Sequence, residues 1–283
     1  MHRLTIAALL AALVAVPLAA GAPRHAATYP NSIAVLGTAT ANGWQTDPAH
    51  SFQTAPENSW ATGTNPAVDS IYSRLLALNP AIKGHNLNLS VSDNALDSAG
   101  HELDDFDREV QQALRQGVKP DLVLVQVIDR ALKCDGTTER DFAGYGSRFS
   151  GLLDELAKGM PNATILVVSQ WGSFASYVKY LQSLDPQTAR LKNAGKKPCQ
   201  LVSSPSGQIV ASRVAYAESI VAGEEAQLKA ACAQVPNCHY DGGAASRIAV
   251  TSADVAQYQF TPTISGQAKI AAAEWKALSP LLK

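Results

Sequence analysis

The sequence has no concentration of basic residues. Its 23 Lys+Arg stand against 24 Asp+Glu in 283 residues, a formal net charge of -1, whereas phosphate affinity comes mainly from clustered Lys and Arg. An electrostatic nucleic-acid binder is thereby excluded. Charge of either sign is scarce, at 17%, while hydrophobic residues reach 46%. A chain with that much apolar mass has a core to bury, so disorder over most of its length is excluded as well. Its 4 cysteines show no Cys-x-x-Cys spacing and no clustered His-Cys signature, so no metal and no cofactor is expected. There is no internal repeat and no low-complexity block. Beyond the N-terminus no apolar run approaches the length of a membrane span.

What is present begins with a leader. Met1-His2-Arg3 gives a positive end, Leu4 to Ala20 is apolar, and the run closes on the small residues Ala19, Ala20, Gly21 and Ala22. This pattern predicts a secretory signal peptide over residues 1–22. The apolar stretch is at the short limit for an anchor, and the small-residue exit favours cleavage. Residues 23–283 are then expected to form a single, soluble, secreted or extracytoplasmic domain. Cysteine usage agrees with export. Cys134, Cys199, Cys232 and Cys238 form an even set, for which two disulfides are the expected use. Three pairings are possible, and the short loop CAQVPNC makes Cys232 to Cys238 with Cys134 to Cys199 the economical one.

Strand-like and helix-like segments alternate. Ser32 to Gly37 (SIAVLG), Asp121 to Asp129 (DLVLVQVID) and Ala163 to Gln170 (ATILVVSQ) read as buried strands, Asn86 to Ser92 as another, and His239-Tyr240-Asp241 as a short last one. Between them the patterns predict helices from Asn65-Pro66 to Asn79-Pro80, with Val68, Ile71, Leu75 and Leu78 on one face. Further helices are expected over Leu103 to Gln116, Glu139 to Met160, Arg213 to Ala233 and Ser265 to Leu278. Ala39 to Thr64 and Asp185 to Gly207 are rich in turn-forming residues and read as surface loops. Strands alternating with helices argue for βαβ units and a parallel sheet covered on both faces. In such a sheet the site lies beyond the carboxyl ends of the strands.

The residues at those ends carry a resemblance. Gly37-Thr38-Ala39-Thr40-Ala41-Asn42-Gly43 resembles the first block of the SGNH or GDSL-type esterases and lipases, Gly-Asp-Ser followed by a Gly. The stretch from Glu57 to Ser92 is similar to the segment joining the first two blocks in their secreted actinobacterial branch, and Cys134 also fits that branch. Thr261-Pro262-Thr263-Ile264-Ser265-Gly266 resembles the last block, His-Pro-x-x-x-Gly. The likeness runs from about Ser32 to the C-terminus. It implies a three-layer α/β/α fold with a central, mainly parallel sheet, the flavodoxin-like arrangement of the SGNH hydrolases.

The same resemblance places the catalytic positions, and they are substituted. The nucleophilic serine falls at Ala39 and its neighbouring aspartate at Thr38. The second-block glycine, whose N–H helps hold the oxyanion, falls at Asp93, and an ionised carboxylate there repels a developing oxyanion. The third-block asparagine falls at Ile128 or at Arg130, depending on whether Asp129 or the spacing to Cys134 sets the register. The Asp-x-x-His of the last block reads Tyr258 and Thr261. Loss of nucleophile or base in serine hydrolases costs on the order of a million-fold in turnover. These positions are therefore vestigial, and no catalytic residue is assigned.

Relocated chemistry finds little support. Thr38 and Thr40 flank the nucleophile position, but a threonine hydroxyl needs a base nearby. His25, His50, His85, His101 and His239 are scattered. Asp254, four residues before Tyr258, reaches the cleft only after a loop shift. Asp104, Asp105 and Asp107 form an acidic helix face without the glycine turn of a calcium loop. Asp93 and Arg130, if they emerge from neighbouring strands, would neutralise one another as a plug or hold a polar ligand. Trp44, Trp60 and Trp171 stand in loops at this end, suited to acyl or carbohydrate contact or to closing a loop over the core. Three functions stay open: a degenerate esterase homologue that binds a small-molecule, acyl or glycan ligand or a partner, an ester hydrolase with relocated groups, and an envelope scaffold.

Overall fold

A computed structural model describes residues 29–47, 49, 53–91, 102–128, 142–192, 200–203, 206–256 and 260–282. The leader, Asp93, Arg130, Cys134, Cys199 and Tyr258 lie outside the described residues. The chain forms a five-stranded, all-parallel sheet in the order β2-β1-β3-β4-β5. Its elements are β1 (Ile33–Gly37), α1 (Ile71–Leu78), β2 (Asn86–Asn88), α2 (Glu102–Arg115), β3 (Leu122–Gln126), α3 (Phe142–Gly159), β4 (Thr164–Val167), α4 (Phe174–Gln182), α5 (Pro186–Lys192), α6 (Ala211–Cys232), β5 (Cys238–Tyr240) and α7 (Ile264–Leu278). The strand order is the flavodoxin-like one, with its switch point between β1 and β3.

Alternation along the strands divides the core in two. Val35, Leu122, Leu124 and Leu166 point to one face, where Ile71 and Leu75 of α1, Tyr177 and Leu181 of α4, and Ile270 and Leu278 of α7 cover them. Leu36, Val123, Val125, Ile165 and Val167 point to the other, against Phe106 and Val110 of α2, Phe149 and Leu153 of α3, and Leu228 of α6. The architecture is thus three-layer α/β/α. Because β1 and β3 are covered on both sides, every residue of each is buried. That is why they read as unbroken apolar runs.

Several expectations need correction. The segment from Ala39 to Thr64 is a surface loop only in part, with Gln53, Thr54, Pro56 and Glu57 exposed. Thr40, Ala41, Thr46, Asn58, Ser59 and Trp60 in it are buried, and several of its polar side chains are paired within the fold. Asn58 Nδ2 donates to Thr46 Oγ1 at 3.0 Å, Asn65 Nδ2 to Asn58 Oδ1 at 2.7 Å and Asn42 Nδ2 to the Ser90 carbonyl at 2.9 Å. The helix expected from Asn65-Pro66 begins only at Ile71, where the Ser70 side chain accepts from Ser73 N. Its Leu78 lies exposed, off the buried face. Within Asp185 to Gly207 the chain makes the short helix α5, and α4 precedes it in a segment with no assigned element. Strand β2 covers Asn86–Asn88 alone.

Among the described residues one disulfide is in place, Cys232 to Cys238, with a sequence separation of 6. It ties the end of α6 to the first residue of β5. A loop that short stabilises by about 2 kcal/mol in the chain-entropy account. Replacing both cysteines by alanine is expected to cost about that much in a denaturant titration, with the native m-value retained.

Candidate functional site

The carboxyl ends of β1 and β3 lie side by side, with Gly37 paired to Gln126 in register. The chain leaving β1 turns immediately. Thr38 N donates to the Gln126 carbonyl at 3.0 Å, and the Ala39 carbonyl accepts from Trp44 N at 3.0 Å and from Asn42 N at 3.2 Å. This compact turn leaves Ala39 half-buried at its tip. The block containing Thr261 packs against the same turn. Thr261 is 2% exposed, and its Oγ1 donates to Gln45 Oε1 at 2.9 Å. Gln267 of α7 donates from Nε2 to the Thr40 carbonyl at 2.8 Å and accepts from Trp60 N at 2.9 Å. Trp60 Nε1 in turn donates to Gln126 Oε1 at 3.0 Å. The structure therefore brings together the turn carrying Ala39 and the segment carrying Thr261, through glutamines that the sequence reading passed over.

Both glycines of the flanking blocks are required by close backbone approach. A Cβ on Gly43, whose φ is +67°, would lie 2.2 Å from the Ala55 carbonyl oxygen, and one on Gly266 would lie 2.5 Å from that of Asp254. Gly266 also lies in the first turn of α7, its N–H received by the side chain of the capping residue Thr263 at 3.3 Å. The glycines thus serve packing.

Behind the turn stands a buried carboxyl. Glu109, on α2, accepts from Gly37 N at 2.6 Å and from Val91 N at 2.7 Å. It therefore clamps the end of β1 to the chain leaving β2, which leads toward Asp93. Burial raises its pKa well above the ordinary carboxylate value, against the pull of the two N–H donors. In sequence it resembles one more surface charge of an acidic helix. Its position three residues after Phe106 and one before Val110 puts it inside the apolar stripe, which is the signal that could have found it.

Other candidates resolve as structural. Asp254 is 1% exposed; its Oδ2 pairs with Lys269 Nζ at 2.5 Å and accepts from Thr251 Oγ1 at 2.7 Å, while Oδ1 accepts from Ser265 Oγ at 2.8 Å. Burial pushes its carboxyl up, and these partners hold it below the usual range. It caps α7's approach and is not available as an orienting acid. Asp104 pairs with Arg148 and Asp105 with Arg108, and no group of three His, Cys, Asp or Glu among the described residues is placed to hold a metal. Trp60 and Trp171 are fully buried, so they close loops over the core; Trp44 is half-buried. Phe260 stacks on Trp171 with ring centroids 4.7 Å apart, fixing the chain one residue before Thr261. Ile128 is buried among the apolar residues on the α2 and α3 side and offers no polar atom.

Four buried polar atoms in this region have no hydrogen-bond partner: Thr38 Oγ1, Trp44 Nε1, Gln45 Nε2 and Gln126 Nε2. Three are N–H donors, and all four belong to the turn after β1 or to the last residue of β3.

No protein-family model matches the chain, and no curated protein matches it. The solved structures it is similar to include a lipase and an acyltransferase. The extracellular lipase of Streptomyces rimosus is 12% identical with a TM-score of 0.49, over 87% of this chain and 99% of the lipase. The salicylyl-acyltransferase of a tetracycline biosynthetic pathway is 15% identical with a TM-score of 0.47, over 90% of this chain. The chain spans 55% of that acyltransferase. At such distances the fold assignment rests on the strand order and the two-faced core.

Proposed function

We propose that this chain is a secreted, catalytically degenerate relative of the SGNH or GDSL-type esterases, with a leader over residues 1–22, and that it binds a ligand where its relatives cleave an ester. One observation carries the reading. Thr261, at the position of the general base, is buried and spends its hydroxyl proton on Gln45. A threonine so placed can neither take a proton from a nucleophile nor give one to a leaving group, and Ala39 offers no nucleophile. With Tyr258 in place of the orienting acid and Asp93 in place of the oxyanion glycine, each catalytic part is substituted.

The unpaired donors favour ligand binding over a bare scaffold. Leaving a buried polar group without a partner costs about 1–3 kcal/mol, so four of them on one turn and one strand end call for a partner that a ligand oxygen would supply. Their N–H groups suit an oxygen-rich ligand, an acyl carbonyl or the hydroxyls of a glycan. The disulfide fits an oxidising compartment.

A fluorophosphonate probe, which reacts only with an activated nucleophile, tests the reading directly. The chain lacking residues 1–22 is expected to remain unlabelled, while a saturable change in tryptophan fluorescence should identify a binder among acyl chains and oligosaccharides. Stoichiometric labelling would contradict it.

A further inference from the structure

A second feature lies away from the β1–β3 site, at the carboxyl ends of β4 and β5. A cavity of about 170 Å³ opens between the chain after β4 and helix α6, lined by Gln170, Phe174, Glu218, Val221, Glu225 and Ser246 among others. This is far more than the ~10–15 Å³ of such volume that one water needs. Glu218 and Glu225 are two helical turns apart and share a face of α6. Glu225 is held in place: its Oε1 accepts from Gln170 N at 3.1 Å, and the Tyr240 hydroxyl bonds to its carboxylate. Gln170 is 3% exposed and its side-chain carbonyl oxygen has no partner. Ser246 Oγ already donates to the Gly243 carbonyl at 3.2 Å, so it faces a ligand as an acceptor.

The lining is therefore rich in acceptors, carries two carboxylates and contains no Lys or Arg. Arg247, whose charge acts on Glu225, is exposed and donates from Nη1 to the Gly242 carbonyl at 2.7 Å. Phe174 supplies a ring face for a cation, and Val221 with Ala222 supplies apolar wall. A bare metal ion is not the match, because among the described residues no group of three His, Cys, Asp or Glu is placed to hold one.

We infer that this cavity binds a small alkylammonium ion, its N–H groups shared between the Glu225 and Glu218 carboxylates and the free Gln170 carbonyl, its chain lying on Val221 and Ala222. The assignment does not depend on how the β1–β3 site is read.

Calorimetric titration of the chain lacking residues 1–22 with n-butylammonium chloride tests it, with n-butanol and calcium chloride as comparators at matched ionic strength. Saturable one-to-one binding is expected for butylammonium only, weakened at least tenfold in Glu225→Gln and several-fold in Glu218→Gln. Ala222→Trp, which fills the cavity and leaves both carboxyl groups in the chain, should abolish it while keeping the native melting transition, and covers the case of a Glu225 variant that misfolds. No saturable binding, equal binding of butanol, preference for calcium, or full binding by Ala222→Trp would each overturn the inference.

Discussion

Glu109→Ala is expected to lose about 2–6 kcal/mol of stability. The carboxyl receives the Gly37 and Val91 N–H groups at 2.6 and 2.7 Å in a fully buried position. Alanine strands both donors, and each orphaned buried group costs about 1–3 kcal/mol. Glu109→Gln keeps one amide oxygen for one donor and turns an NH₂ toward the other, so it should fall between the two. For a chain of this size a kilocalorie moves the melting point by about 2–4 °C, which places Glu109→Ala many degrees below the native protein. The two N–H groups belong to the chains leaving β1 and β2, so amide exchange at Gly37 and Val91 should accelerate more than in β4. A loss under 1 kcal/mol would mean that water replaces the carboxyl and that the clamp is incidental.

The protein is expected to melt higher at mildly acidic pH than at pH 8. Glu224 of α6 and Glu274 of α7, like Glu109, sit in the buried stripes of their helices. Burial, with Glu225 beside it, raises Glu224 to about 7. Burial and the neighbouring Asp241, which also shares a hydrogen bond with it, raise Glu274 well above its ordinary value, partly offset by Arg247 and the Ala245 N–H. A carboxyl whose folded pKa lies above its unfolded value binds more protons folded than unfolded. Its stability is fully present below about pH 4.5 and is lost as pH rises through the folded pKa. For Glu224, the rise from 4.5 to about 7 corresponds to roughly 3 kcal/mol between those pH values, at about 1.4 kcal/mol per unit. Glu274 adds to the slope in the same direction. Glu224→Gln and Glu274→Gln should each raise the melting point at pH 8, leave it nearly unchanged at pH 5, and flatten the profile. A native melting point that climbs from pH 5 to pH 8 would show that these carboxyls are ionised in the folded state.

These glutamates mark where the sequence was legible and where it was not. Strands β1, β3 and β4 could be read because burial on both faces leaves mostly apolar residues, and the order of strands and helices then pointed to a parallel sheet. Composition failed from Ala39 to Thr64. It registers that Asn42, Thr46 and Asn58 are polar but not that their side chains find partners inside the fold. The short helices α4 and α5 escaped because Gly172, Pro186 and the turn residues around them outweighed a modest apolar period. In the candidate site, the resemblance points to Ala39 and Thr261 through the flanking blocks, whose Gly43 and Gly266 are required by backbone packing whatever the chemistry. Gln45, Gln126 and Gln267, which join those positions, carry no pattern of their own. Only the tertiary contact between segments more than 200 residues apart reveals what they do.

Hydrolysis of a p-nitrophenyl acyl series tests the central claim most directly, comparing the chain lacking residues 1–22 with its Ala39→Ser/Asp93→Gly/Thr261→His variant. The native protein is expected to stay at the buffer rate at every acyl length, with any gain confined to the variant that restores nucleophile, oxyanion glycine and base. Saturable turnover by the native protein, with a bell-shaped pH profile that vanishes on replacing one of its scattered histidines, would contradict a vestigial site and require an active one built from other residues.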